Sequence, residues 1–264
     1  MVPAPHRTKV AIITGGGRGL GRAMALGLVH AGIRVVLTAA RRSDELERVA
    51  AEIQAEAGEH YVATVQADVS REEHCEAVVA FALSRFGRLD ILINNAARGM
   101  RFASEDFLTK ATPFWEVTPE IWETLIATNV NGPFWMARAA TPHFLSAGWG
   151  RIVNITINRQ TINRKGFSPY GLSKAAVEAE TAIWAEDLNG TGVTVNALLP
   201  GGATLTGMIP EGQPEHIRAS LLKPDIIVPP LLWLVSDASN DVTGKRIVAT
   251  EWNNGDHQFE GAGF

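Results

Sequence analysis

Tyr170 and Lys174 stand four residues apart at the end of the stretch 151–174, RIVNITINRQTINRKGFSPYGLSK. On a helix that spacing puts both side chains on one face, one turn apart, so an ammonium can lie close to a phenol. A free tyrosine titrates near pKa ~10, and a fixed positive charge a few ångströms away favours the phenolate. Such a pair can exchange a proton with a substrate oxygen near neutral pH. Alone, Tyr-x-x-x-Lys describes many solvated helix faces, and it acquires meaning only if the chain supplies a substrate and a cofactor beside it.

The elements that must position this pair follow a repeating pattern. Val10 to Thr14 is a short apolar, β-branched run ending in glycines, and Leu20 to His30 is helical in period and stopped by Gly32. Ile33 to Thr38 reads as a strand, Ser43 to Ala57 as an amphipathic helix, Tyr61 to Ala67 as a strand, Glu72 to Phe86 as a helix and Leu89 to Asn94 as an apolar strand. The second half predicts a helix over 119–145, a strand over 152–157, a helix over 169–188, a strand over 194–198, a helix near 228–236 and a closing strand over 246–249. Apolar strands alternating with helices predict an α/β protein of doubly wound Rossmann type, with about seven parallel strands and helices on both faces. A single domain is expected over residues 1–264.

The first strand runs directly into Thr14-Gly15-Gly16-Gly17-Arg18-Gly19-Leu20-Gly21. Glycines between a strand and a helix permit a tight turn and let backbone N–H groups approach a pyrophosphate at the helix N-terminus. Two long irregular stretches, 98–117 and 201–227, have the character of substrate loops. Met100, Phe102, Phe107, Phe114, Trp115, Met208 and Ile209 give them an apolar, partly aromatic lining; packing within the loops or at a subunit interface would use the same residues.

The chain is 46% hydrophobic and 20% charged with a formal charge of -4, an ordinary globular composition with no basic footprint for nucleic acid. The single cysteine, Cys75, permits neither an intramolecular disulfide nor a cysteine-based metal cluster, and no metal site is indicated. No apolar run approaches the ~20 residues that a membrane helix needs, and MVPAPHRTKV lacks a signal-peptide core. A cytoplasmic protein is expected. His143 and His257 belong to no motif and are read as structural or surface residues.

Six features occur in order: the glycine loop, Asp68-Val69, Asn94-Asn95-Ala96-Ala97, Asn129, Tyr170-x-x-x-Lys174 and Pro200-Gly201. On these the chain resembles the short-chain dehydrogenase/reductase family over roughly residues 8 to 250. The resemblance implies that Gly15, Arg18, Gly19, Leu20 and Gly21 surround the cofactor phosphates and that Asp68 and Val69 hold the adenine. It further implies that Asn95, Ala96 and Ala97 line the cofactor groove, that Lys174 holds the nicotinamide ribose while tuning Tyr170, and that Pro200, Gly201 and Gly202 border the nicotinamide. Tyr170 would be the acid/base and Asn129 would support a water relay. Family members commonly form homotetramers, so a tetramer or dimer is expected.

NAD-preferring members usually carry an acidic residue at the end of the second strand, and here that position is Ala39. Arg18 with Arg41 or Arg42 can instead clamp a 2′-phosphate, which favours NADP, with NAD still possible. The family also places a serine about thirteen residues before the tyrosine. In this chain that position is Ile157. Thr156 or Asn158, or Thr161 further on, can supply the missing donor; alternatively nothing does. The expected activity is hydride transfer between a nicotinamide cofactor and a carbonyl or alcohol. The alternatives are a dinucleotide-binding sensor or assembly subunit with little redox activity, and an elimination or isomerisation using Tyr170.

Overall fold

A computed structural model describes residues 8–41, 43–210, 212, 215–257 and 259–263. Val10–Thr14 (β1) is buried along its whole length, as expected of a central strand covered on both faces. The chain continues through α1 (Gly19–His30), β2 (Arg34–Ala39), α2 (Ser43–Ala57), β3 (Val62–Gln66), α3 (Glu72–Phe86) and β4 (Ile91–Asn94). Next come α4 (Pro119–Ile126), α5 (Gly132–Ala147), β5 (Gly150–Ile155), α6 (Arg159–Ile162), α7 (Tyr170–Asp187) and β6 (Val193–Leu199). The last elements are α8 (Glu215–Ser220), α9 (Val228–Leu234), β7 (Lys245–Val248), α10 (Ala249–Asn253) and β8 (Glu260–Gly261).

The strands form one sheet in the order β3-β2-β1-β4-β5-β6-β7-β8. The first seven are mutually parallel, and the two-residue β8 adds an antiparallel edge that the sequence pattern did not announce. Strand order reverses between β1 and β4, so the chain leaves these neighbours in opposite directions and opens a crevice at their carboxyl ends. Met24, Leu28, Val49 and Ile53 of α1 and α2 pack on one face of the sheet with Leu231 and Leu234 of α9. Val78, Val79 and Ala82 of α3, with Met136, Ala140 and Phe144 of α5, cover the other.

Two boundaries differ from expectation where it matters. The single helix predicted over 119–145 is split by one π-helical turn, Ala127–Asn131, just before Gly132-Pro133. An extra residue per turn there rotates Asn129 inward, where it is 1% exposed. The strand predicted over 152–157 starts at Gly150 and ends at Ile155, so Thr156 and Ile157 lie beyond it although the apolar pattern runs on. Among the described residues no helix is long and apolar enough to cross a membrane.

Candidate active site

The glycine loop is shaped by close approach. Gly15 and Gly19 adopt φ of 66° and 53°, and a Cβ on Gly21 would stand 2.1 Å from the Gly15 carbonyl oxygen. Side chains on Gly15 or Gly21 would therefore remove the turn itself. The loop is tied to the end of β4 by Asn95, whose Nδ2 donates to the carbonyls of Thr14 (2.8 Å) and Gly15 (3.0 Å). Thr14 Oγ1 accepts from the backbone N–H groups of Asn95 and Ala96, both at 3.0 Å. Asn95 thus shapes the loop with its side chain, while Ala96 and Ala97 are half-buried beside it. Thr206 lies directly over Gly19, where a Cβ would meet its Cγ2 at 3.1 Å. Sequence reasoning passed over Thr206; the threonines that follow Pro200-Gly201 were the available signal.

Ala39, where the resemblance expects the adenosine, is the last residue of β2. Arg18 Nη1 lies 3.5 Å from Glu45 Oε1, and its guanidinium runs past Gly207. Arg41 is exposed at the crevice rim, and Arg42 lies outside the described residues. Asp68 Oδ1 accepts from the backbone N–H (3.0 Å) and hydroxyl (2.7 Å) of Ser70, so this carboxylate caps its turn. Burial raises its pKa, but the two bonds from Ser70 and the nearby Arg98 and His74 outweigh that and hold it below the usual range. Val69 is buried and packs on Gly132. Arg98, unremarked in the sequence, is half-buried with Nε 3.3 Å from Thr128 Oγ1 and its guanidinium over Phe102. Burial lowers its pKa, Arg41 adds to the lowering, and Asp68 opposes it, so Arg98 shares one electrostatic neighbourhood with both.

Tyr170 and Lys174 occupy the first turns of α7 with relative exposures of 8% and 4%. The proximity expected of them does not lower the phenol: burial pushes Tyr170 up to about 12. Burial likewise brings Lys174 down to about 8, partly opposed by Glu180. Lys174 Nζ donates to the Ile155 carbonyl at the end of β5 (2.7 Å), which anchors the ammonium at the strand end. Among the described residues Tyr170 Oη has no hydrogen-bond partner.

Asn129 fixes this turn. Its Oδ1 accepts from Arg98 N (2.8 Å), while Nδ2 donates to Arg98 O (2.9 Å) and Ser173 Oγ (3.0 Å). Ser173 Oγ in turn donates to the Tyr170 carbonyl at 2.7 Å. Both N–H bonds of the Asn129 side chain are thereby committed to protein groups, and what the side chain does is position the turn.

At the end of β5, Thr156 is 1% exposed and donates from Oγ1 to Glu178 Oε1 (3.1 Å). Its one hydroxyl proton is committed to Glu178, which leaves none for a substrate oxygen in the serine's role that the sequence allowed it. Glu178 is also held by Arg246 Nε at 2.9 Å, and Arg246 Nη2 donates to the Ile157 carbonyl at 2.9 Å. These two charges are 0% and 7% exposed, and removing one partner of such a pair costs roughly 3–5 kcal/mol. Ile157 packs against a cluster of Met100, Phe107, Leu125, Phe167 and Tyr170. Asn158 is half-buried, with Nδ2 donating to the Gly201 carbonyl at 3.0 Å. Gly201 has φ 99°, and a Cβ there would meet Thr250 Oγ1 at 2.0 Å; Gly202 and Pro200 adjoin it, with Thr250 N donating to Pro200 O.

Of the aromatic residues in the substrate loops, Phe107 is buried beside Tyr170, whereas Phe114 and Trp115 are 71% and 72% exposed. Of the two histidines without a motif, His143 is exposed and His257 stacks on Trp252 at 4.1 Å.

A doubly wound parallel sheet, a glycine turn at its switch point and a Tyr-x-x-x-Lys helix beside Pro200-Gly201 define a dinucleotide-type oxidoreductase architecture. A short chain dehydrogenase family model matches residues 9–216. The chain is 34% identical to a short-chain dehydrogenase/reductase of Aspergillus oryzae, over 90% of this chain and 92% of that one. It resembles the crystal structure of a Brucella melitensis 3-ketoacyl-(acyl-carrier-protein) reductase complexed with NADH, at TM-score 0.79 and 32% identity over 91% and 96% of the two chains. A metagenomic short-chain oxidoreductase in complex with NADP matches at TM-score 0.75 and 28% identity, over 91% and 95%. The chain belongs to the short-chain dehydrogenase/reductase family and is an oxidoreductase of carbonyl or alcohol groups.

Glu180 yields a stability test. Burial raises its pKa from 4.5 to about 8, with Lys174 opposing, and its Oε2 is buried without a partner. Between those values the folded chain keeps a proton that the unfolded chain has released, so its contribution to stability falls as pH rises through the window. Glu180→Gln removes this loss. In denaturant unfolding the variant should gain on the wild type by about 2 kcal/mol or more between pH 5 and pH 8. A difference that stays flat across the window would show that Glu180 titrates normally.

Proposed function

We propose that this chain is an NADPH-preferring carbonyl reductase in which Tyr170 protonates the substrate oxygen. The carrying observation is a buried phenol with a free hydroxyl and a buried ammonium one turn along the same helix, in a fold with a glycine cradle that side chains would fill. When bound, the nicotinamide supplies the hydride. The protein's own residues do the rest. Gly15 and Gly19, with the start of α1, offer backbone N–H groups to the pyrophosphate. Pro200 to Gly202 border the ring, and Lys174 reaches the adjoining ribose. A phenol shifted to about 12 is protonated at neutral pH, the form that can donate to a carbonyl; the Lys174 charge then stabilises the phenolate left behind.

Asn158 is the donor we assign to the place of the missing serine. Its amide uses one N–H on Gly201, and the second can bond the substrate oxygen. Preference for NADPH rests on Ala39 at the end of β2 and on Arg18, Arg41 and Arg98 around the ribose position. A homo-oligomer formed through α4, α5 and α7 is supported by Trp122, Phe134, Leu172 and Ile183, large apolar side chains between 39% and 59% exposed.

Turnover of NADPH with a panel of ketones and aldehydes tests the reading. Tyr170→Phe should abolish measurable activity while NADPH still binds, and Asn158→Ala should lower kcat by about 10²-fold. Binding without turnover in the wild type would sink the reductase assignment, and an unchanged Asn158→Ala would leave the oxygen with Tyr170 alone. In nicotinamide fluorescence titrations NADPH should bind about tenfold or more tightly than NADH, with Arg41→Ala erasing most of the gap; equal wild-type affinities would reverse the preference. The double change Leu172→Asp with Ile183→Asp should shift the light-scattering mass to that of the monomer. A wild type already monomeric at micromolar concentration would refute the interface.

A further inference from the structure

The segment following β6 carries a cavity of about 400 Å³ that shares Leu205, Thr206 and Gly207 as a wall with the smaller cavity beside Gly19. Leu205, Ile209, Pro210 and Leu221 make its sides apolar. Its charged lining, among the described residues, consists of Arg101 from the loop after β4 and Arg218 from α8. The guanidinium of Arg101 is pre-oriented. Its Nε donates to both carboxylate oxygens of Glu105 (2.9 and 3.1 Å) and its Nη1 to the Gly207 carbonyl (3.3 Å), so Nη2 remains available. Arg218 is exposed and forms no side-chain hydrogen bond or ion pair among the described residues.

The cavity stands next to the chemistry. Met100 is buried against the cluster that contains Tyr170, and the following residue, Arg101, lines the cavity. Met208, on the opposite loop, approaches Gly99 so closely that a Cβ there would lie 3.2 Å from its sulfur. The loop that packs on Tyr170 through Met100 thus also supplies Arg101 to the cavity wall. Arg218 brings a positive charge with no ion-pair partner among the described residues, and Arg101, although paired with Glu105, keeps Nη2 free, so the two guanidiniums can form strong, charge-assisted bonds to anionic oxygens.

We propose that Arg101 and Arg218 form an anion subsite, so that the substrate is an oxo compound carrying a carboxylate or phosphate at the far end of an apolar chain. The inference rests on the reductase reading above and adds the substrate class. Two pairs of probes separate the sources of the anion: levulinate against methyl levulinate for a carboxylate, and acetoacetyl-coenzyme A against ethyl acetoacetate for a phosphate. For at least one pair, wild-type kcat/KM should favour the anionic member. In Arg218→Met and Arg101→Met that ratio should fall by about tenfold or more, through KM rather than kcat. Calorimetric titration of levulinate and of coenzyme A, without turnover, should show the same weakening. Ratios and affinities within about twofold of wild type in both variants overturn the subsite. A wild type that reduces no ketone at all defeats the reductase reading, and the calorimetric titration then still decides whether the cavity holds an anion.

Discussion

The carboxyl edge of the sheet depends on the amide of Asn129, because three chain segments that are otherwise joined through the apolar cluster of Met100, Leu125 and Tyr170 meet at its hydrogen bonds. Its carboxamide pairs with both the N–H and the C=O of Arg98, in the loop after β4, and reaches Ser173, whose hydroxyl closes on the Tyr170 carbonyl. The π-helical turn at Ala127–Asn131 is what brings this side chain inward, at the expense of regular helix geometry. The Tyr170 turn of α7 therefore takes its position in part from the loop after β4.

With the turn fixed, desolvation decides the chemistry. Tyr170 and Lys174 are both nearly out of water, and each is driven toward its neutral form: the phenol upward to about 12, the ammonium downward to about 8. The simple picture of a lysine dragging a phenol toward neutrality does not describe this pair. The lysine is anchored on the Ile155 carbonyl, and burial is what sets the direction of the phenol. The result is a phenol that stays protonated at neutral pH on the same buried helix turn as an anchored lysine.

The central site was legible in the sequence because its parts are local. Gly15 to Gly21 and Tyr170 to Lys174 each fit within a few residues, so spacing alone fixed their relative placement, and the seven parallel strands follow from apolar runs separated by helical periods. What was not legible depends on contacts far apart in the chain. Arg246 finds Glu178 across 68 positions, and Asn129 finds Arg98 across 31. The apolar run through Ile157 also concealed the end of β5 at Ile155, because an apolar residue just past a strand looks like the strand when it packs into a neighbouring cluster. Arg98 did leave a trace, as a charged residue directly after Asn94-Asn95-Ala96-Ala97.

The replacement at Ile157 follows from where polar groups near it were sent. A hydroxyl at the strand end needs a partner, and the hydroxyl of Thr156 has one in the buried Glu178 of α7. Arg246 neutralises that buried carboxylate and at the same time grips the Ile157 carbonyl, so the backbone on both sides of the position is held from behind. The side chain of Ile157 is left with only an apolar surface to satisfy, which Phe107, Phe167 and Met100 supply. One residue later the backbone turns and Asn158 reaches the Gly201 carbonyl. At this strand end neighbouring residues therefore divide the work: Thr156 commits its hydroxyl to the buried Glu178, Ile157 packs into the apolar cluster, and Asn158 ties the turn to the Pro200-Gly201 segment.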